Sequence, residues 1–73
     1  MGRLAQVIPQ RMLRAFGRLG WSVARQTGSH AIVTKPGRTS ITIPVHPGTL
    51  KLGTAKAILK QAGLTEDEFF AAY

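Results

Sequence analysis

The sequence predicts an α+β two-layer sandwich in which helices cover one face of a three-stranded antiparallel sheet. A helical pattern of apolar residues comes first, three short segments with strand character follow, and a second helical pattern closes the chain. These elements give the order αβββα plus a short extra C-terminal helix. With 73 residues there is room for one core, so we expect a single domain over residues 1–73, with residues 1–7 an irregular lead-in.

The first helix is expected to begin at Pro9, because proline at the first helical position loses no hydrogen bond, and to end at Gly20. One side of it carries a basic stripe with the spacing i, i+3, i+7, which taken singly is typical of a solvated face. The stripe consists of Arg11, Arg14 and Arg18. The apolar face consists of Met12, Leu13, Phe16 and Leu19.

Three strands are predicted over residues 21–25, 30–35 and 39–45, where large or β-branched residues alternate between turn signals. Residues 26–29 have turn chemistry, with Gly28 free to adopt a positive φ. Short links between the strands indicate an antiparallel meander. Pro44 cannot donate to a neighbouring strand, so it marks a strand end or a sheet edge.

The second helix is predicted after a loop over residues 49–52, with Thr54 as its cap and Gly63 as its end. Thr65 and Glu68 have capping-box spacing, which predicts a last short helix. The apolar face of the second helix is Ala55, Ile58, Leu59 and Ala62.

The charge balance is one-sided, with ten Lys and Arg against three Asp and Glu and a net charge of +7. The acids are the adjacent Glu66, Asp67 and Glu68, which cannot all point into one site. This excludes the converging carboxylates of a two-metal nuclease and the acid pair of a glycosidase. The absence of Cys excludes disulfides, thiol nucleophiles and Cys-based zinc sites, and two His without nearby acids make a poor metal site. We expect no metal and no cofactor, and a polyanionic partner, with nucleic acid favoured by the charge.

We expect neither a membrane span nor a signal peptide. No window has the roughly 18 apolar residues of a membrane span. The first residues lack the continuous apolar segment of a signal peptide, so a cytoplasmic location is expected.

The sharpest local feature is His30, which follows Gly28 and Ser29 at the expected start of a strand. An imidazole can give or take a proton near neutral pH, and nearby cations can hold a phosphate. RNA carries its own nucleophile, the 2′-hydroxyl, so a general base and positive charge suffice without a metal. The spacing alone also fits a strand-edge His bonded to a loop, and strand parity leaves open which sheet face carries it. Candidate phosphate contacts are Arg25, Lys35 and Arg38.

His46 lies between Pro44 and Pro47. It could be a general acid that works with His30 or a hydrogen-bond donor to a phosphate, and the same position also fits a turn residue without a chemical role. Lys56 and Lys60 are one turn apart on the expected solvent-exposed side of the second helix, a basic helix of the kind that could bind double-stranded RNA. Each of these has a solvated-face interpretation, but together with the other cations and no neutralising acid they favour a phosphate-binding surface.

Several segments together resemble the HicA toxin family. They are Gly-Trp at 20–21, Arg-Gln-Thr-Gly-Ser-His at 25–30, Pro-Val-His-Pro-Gly at 44–48, Gly-Thr at 53–54 and Ile-Leu-Lys-Gln-Ala-Gly-Leu at 58–64. The resemblance implies a double-stranded-RNA-binding-domain-like fold, an mRNA interferase toxin of a toxin–antitoxin system, His30 as its catalytic residue and a HicB-like antitoxin that covers it. It assigns His46 no role. This chain departs from many members at Ile8–Pro9, where they have a Ser/Thr-Gly cap, and at Ala31, where they often have a large residue or another His. The second departure is expected to change substrate contacts or activity.

The leading hypothesis is a type II toxin that cleaves mRNA as a metal-independent endoribonuclease through His30. A non-catalytic RNA-binding module of the same fold is the alternative, and a small protein that neutralises an acidic protein partner is a third. His46 is a possible auxiliary residue. The predicted RNA-binding residues are Arg25, Gly28, Ser29, Lys35, Arg38, Lys56 and Lys60.

Overall fold

The predicted α+β architecture is confirmed by the computed structural model, which describes residues 3–73. Three strands form one antiparallel sheet in the order β1-β2-β3, and the helices pack on one of its faces. The elements are a 3-10 turn Arg3–Gln6, α1 Pro9–Arg18, β1 Ser22–Thr27, β2 His30–Thr34, β3 Ile41–Pro44, α2 Leu52–Ala62 and α3 Glu66–Ala72.

The alternation of burial along β2 settles which face of the sheet meets the helices. Ala31 and Val33 are buried, and Ile41 and Ile43 beside them on β3 are buried too. His30 therefore lies on the opposite, open face of the sheet. The core between the layers includes Met12, Phe16, Trp21, Leu50, Ala55, Ile58, Leu59 and Phe69.

Ala31, one of the two positions where the sequence departs from the family that it resembles, lies in this core. Its side chain is fully buried under the helices. The expectation that it alters direct substrate contacts is therefore wrong, because the side chain points away from the face that carries His30, while an effect on activity stays a prediction.

The lead-in is more ordered than predicted. Its described part contains the 3-10 turn Arg3–Gln6, while Met1 and Gly2 lie outside the described residues. Leu4 and Val7 are buried, and residues three apart stack on one side of a 3-10 turn. The Val7 carbonyl also accepts a hydrogen bond from the Leu50 N–H at 2.9 Å. These apolar anchors order a segment whose local sequence carries no helical period.

The first hairpin is tighter than predicted. Residues 26 and 27 belong to β1, so the turn consists of Gly28 and Ser29 alone. Gly28 has a φ of 49°, as expected from its lack of a side chain. A two-residue loop with glycine first suits the right-handed twist of a hairpin. The residues on either side of it, Thr27 and His30, are therefore directly paired.

The start of α2 differs from the prediction. The helix begins at Leu52 after Lys51, without a side-chain cap, so Thr54 lies inside its first turn instead of capping it. Leu50 is buried and hydrogen-bonded to the lead-in, and this anchor brings the chain into the helix three residues earlier than a cap at Thr54 would. Tertiary packing here overrides the local capping preference.

The two ends that flank the α2–α3 junction follow the prediction. Gly63 ends α2 in the left-handed conformation, with a φ of 72°. Thr65 and Glu68 form the predicted capping box: the Thr65 N–H donates to Glu68 Oε1 at 2.9 Å, and the Glu68 N–H donates to Thr65 Oγ1 at 3.1 Å.

Gly63→Ala is expected to lower the free energy of unfolding by about 1–2 kcal/mol, because a Cβ disfavours the left-handed backbone. That Cβ would also lie 2.6 Å from Arg38 Nη2 and displace this side chain. Gly53→Ala is the matched control in the same helix, where a Cβ meets no atom within 4 Å. At position 53, alanine should raise the free energy of unfolding by up to about 1 kcal/mol, because glycine is the poorer helix former. Urea unfolding of both variants checks the pair, and equal changes would contradict it.

Candidate functional site

The open face of the sheet presents His30 at one end of the central strand. The imidazole is exposed, and Thr27 on β1 and Pro44 on β3 lie directly opposite it. Side chains of directly paired residues share a face, so these three form one row across the sheet. Ser29 Oγ lies 3.4 Å from His30 Nδ1, a long contact that leaves the ring accessible.

Arg25 shares this face because β1 contains a bulge. The pairing shifts between Val23 and Arg25, which leaves Ala24 as the extra residue. Regular alternation from the buried Trp21 would place Arg25 on the helix side. After the bulge Arg25 pairs with Ile32, so it is the diagonal neighbour of His30, within reach of a long side chain. The bulge thus brings a guanidinium and an imidazole together.

His46 lies at the same end of the sheet as His30. The Val45 N–H donates to the Ser29 carbonyl at 2.6 Å, which ties the segment after β3 to the hairpin turn. His46 is exposed, and its Nδ1 lies 2.9 Å from the Pro47 carbonyl oxygen. Because a carbonyl only accepts, Nδ1 is the donor, and Nε2 is the atom left to meet a ligand.

Lys35 and Arg38 lie at the other end of the sheet. Lys35 is five positions after His30 along an extended segment, which is about 16 Å. Lys35 Nζ donates to the Leu19 carbonyl at 3.0 Å, and Arg38 Nη2 lies 3.4 Å from the Gln61 carbonyl oxygen. Each cation thus sits on the C-terminal end of a helix, where unpaired carbonyls attract positive charge. The structure does not bring these two predicted phosphate contacts to His30.

Lys56 and Lys60 are exposed on α2, in the helical layer. Together with Glu66 they border a shallow pocket whose apolar lining includes Leu4 and Leu59. This layer covers the face of the sheet opposite to His30. A role of these lysines in RNA binding stays a prediction, and it would involve a separate surface.

Two arginines of the basic stripe on α1 donate hydrogen bonds to the C-terminal end of α3. Arg11 Nη2 donates to the Tyr73 carbonyl at 3.2 Å, and Arg18 Nη1 donates to the Ala72 carbonyl at 2.7 Å. These contacts satisfy carbonyls at the end of α3. Two of the three stripe arginines therefore contribute to the fold as well as to the surface charge.

Thr27 is a further neighbour of His30 and was not among the predicted site residues. It lies opposite His30 on the same face. The signal was present, because a two-residue turn after Thr27 dictates this pairing. Within residues 3–73, no three His, Asp or Glu side chains come together as a metal site would require. The longest helix of this part of the chain, α2, has 11 residues, too few to cross a membrane.

Comparisons with known proteins agree with this architecture. A chain of a solved structure, "Toxin-Antitoxin complex from Streptococcus pneumoniae", is 36% identical with a TM-score of 0.70, over 80% of this chain and 98% of that chain. A search of curated proteins found no match. The family model of the HicA toxin of bacterial toxin–antitoxin systems matches residues 9–64, which include both strands around His30 and both histidines. The chain therefore belongs to the HicA toxin family.

Proposed function

We propose that this protein is a type II toxin that cleaves mRNA in the cytoplasm as a metal-independent endoribonuclease. The observation that carries the proposal is the exposed His30 on an uncovered sheet face, with Arg25 diagonal to it. All three acidic side chains of the sequence lie in the first turn of α3, which packs on α1 in the helical layer. No acidic side chain therefore opposes an RNA phosphate on the face of His30.

The chemistry requires only the groups at this end of the sheet. His30 takes the proton of a ribose 2′-hydroxyl, the 2′-oxygen attacks the adjacent phosphorus, and the bond from phosphorus to the 5′-oxygen breaks. The products are a 2′,3′-cyclic phosphate and a 5′-hydroxyl, whose proton comes from water or from a protonated His46. Arg25 and the N–H groups of the Gly28–Ser29 turn stabilise the added negative charge of the transition state.

The test uses wild-type protein and a short RNA with a single mapped cleavage site. Cleavage should persist in EDTA and should stop when the nucleotide before the scissile phosphate is 2′-deoxy, because the nucleophile is then absent. Loss of cleavage on chelation, or cleavage of the deoxy substrate, would contradict the mechanism. RNA binding without cleavage of any substrate would favour the non-catalytic RNA-binding module instead.

We further propose that a HicB-like antitoxin inhibits the toxin by covering the open face. The similar chain from Streptococcus pneumoniae is part of a toxin–antitoxin complex, and a net charge of +7 favours an acidic partner. Arg25→Glu should weaken the complex at least tenfold, since like charges across an interface repel. Lys60→Glu, the same reversal in the helical layer, should change affinity much less. Isothermal titration measures both, and equal losses, or a complex that cuts RNA as fast as free toxin, would contradict the blocking model.

A further inference from the structure

The two chain segments that flank the family core meet in a cleft of about 380 Å³ on the helical layer. Its volume lies within the roughly 300–1,000 Å³ typical of small-ligand clefts. All the lining residues except Arg11 lie outside the family-matched residues 9–64. The lining residues are Arg3, Gln6, Ile8, Arg11, Phe70 and Tyr73.

Two stacks of a guanidinium on an aromatic ring form the walls. Arg3 Cζ lies 4.1 Å from the ring centroid of Phe70, and Arg11 Cζ lies 4.2 Å from that of Tyr73. The two rings adjoin each other edge to face, with centroids 5.4 Å apart. The Tyr73 hydroxyl accepts a hydrogen bond from the Ile8 N–H at 2.9 Å, which fixes the second ring. The cleft therefore has flat surfaces and fixed positive charges side by side.

Both arginines retain capacity to bind a ligand. Arg3 and Arg11 are exposed, so their guanidinium N–H groups can reach a phosphate from solvent. Arg11 gives one hydrogen bond to the Tyr73 carbonyl, out of the five N–H groups that a guanidinium carries. Stacking on a ring restricts each side chain before a ligand arrives, so less rotamer freedom is lost on binding.

We infer that this cleft binds single-stranded RNA, with a base stacked on the Arg3–Phe70 or Arg11–Tyr73 pair and the adjacent phosphates on the guanidinium groups. Unpaired bases stack on aromatic rings and on arginine planes, and such platforms are tolerant of sequence. The exposed Gln6 amide at the rim can donate to and accept from a base edge. An acidic peptide would use the charges but not the flat faces. The inference shares with the proposed function only the class of ligand, because the cleft lies apart from His30.

The experiment measures affinity by fluorescence anisotropy with labelled, fully 2′-O-methylated single-stranded RNA, which has no free nucleophile. An abasic oligomer of equal length carries the same phosphates without bases. Arg3→Gln and Phe70→Leu should each weaken binding of the base-containing strand about fivefold or more, the low end for one stacked base. Phe70→Leu should leave abasic binding unchanged. Arg14→Gln removes one exposed charge of α1 outside the cleft and should cost clearly less.

Three results would overturn the inference. Phe70→Leu and Arg3→Gln could cost no more than Arg14→Gln, the abasic oligomer could bind as tightly as the base-containing strand, or polyglutamate of equal charge could bind with the same dependence on Phe70. Thermal unfolding checks each variant, and the exposed Arg3→Gln carries the test if Phe70→Leu is unstable. Because the probe cannot be cleaved, these affinities do not depend on whether wild type cuts RNA, so a failure here differs from a failure of the proposed function.

Discussion

His30→Ala is expected to lower the rate of RNA cleavage by about 10²–10⁴-fold, the usual contribution of a general acid or base. His30 is exposed at the start of β2 and lies outside the core cluster. The variant should therefore fold with nearly unchanged stability, so the loss reports on chemistry. Single-turnover cleavage of an RNA substrate, with circular dichroism of the same samples, makes the measurement.

Matched variants separate the site from the general positive charge. His46→Ala removes the second exposed imidazole at this end of the sheet and should cost less than His30→Ala if it only assists the leaving group. Arg25→Gln should slow cleavage about tenfold or more, as expected for loss of one charged contact to the transition state. Lys35→Gln removes the same charge at a site distant from His30, where the ammonium contacts the Leu19 carbonyl. This variant should lower the free energy of unfolding and slow cleavage less than Arg25→Gln does. A fully active His30→Ala protein, or equal effects of Arg25→Gln and Lys35→Gln, would refute the assignment.

Phe69→Ala is expected to lower the free energy of unfolding by about 3–5 kcal/mol, as for other buried aromatic residues cut to alanine. Phe69 is fully buried, and its ring contacts Phe16 with centroids 6.1 Å apart. At about 0.05–0.15 kcal/mol per residue, a chain of 73 residues has a total of about 4–11 kcal/mol. The variant should therefore be largely unfolded at the low end of this range.

Phe70→Ala is the matched control for this prediction, because it removes the same side chain from the next position. Phe70 is only half-buried and packs at the edge of the core, so its loss should be clearly smaller. Chemical unfolding monitored by Trp21 fluorescence compares the two. α3 lies beyond the family-matched residues and packs on α1. A small loss of stability in Phe69→Ala would mean that α3 is not part of the cooperative core despite this packing.

Several features could be predicted from local sequence because their causes are local. Pro9 begins α1, Gly63 ends α2 in the left-handed conformation, and Thr65 with Glu68 caps α3. Each of these depends on backbone freedom or hydrogen bonds within a few residues. The positive φ of Gly28 and the start of a strand at His30 are local in the same way, although the turn itself is shorter than the predicted residues 26–29.

The features that were missed depend on contacts between distant segments. Leu4 and Val7 are ordered by the core, and the anchored Leu50 places the N-cap of α2 at Lys51 instead of Thr54. Local periodicity contains neither effect. Lys35 and Arg38 were expected beside a phosphate, yet they meet carbonyls at helix ends from Leu19 and Gln61, partners that no spacing in the sequence reveals.

The sequence by itself determined the order of the α-helices and strands, the capping box of α3, the surplus of positive charge and the His30 candidate, because composition and short-range hydrogen bonding carry that information. Only the tertiary structure decided that His30 faces open surface, since the pattern of β2 is compatible with either parity and the structure buries Ala31 and Val33. It also decided which cation accompanies His30. A single extra residue in β1 turns Arg25 onto the same face, and a bulge is a property of strand pairing that one strand alone does not specify.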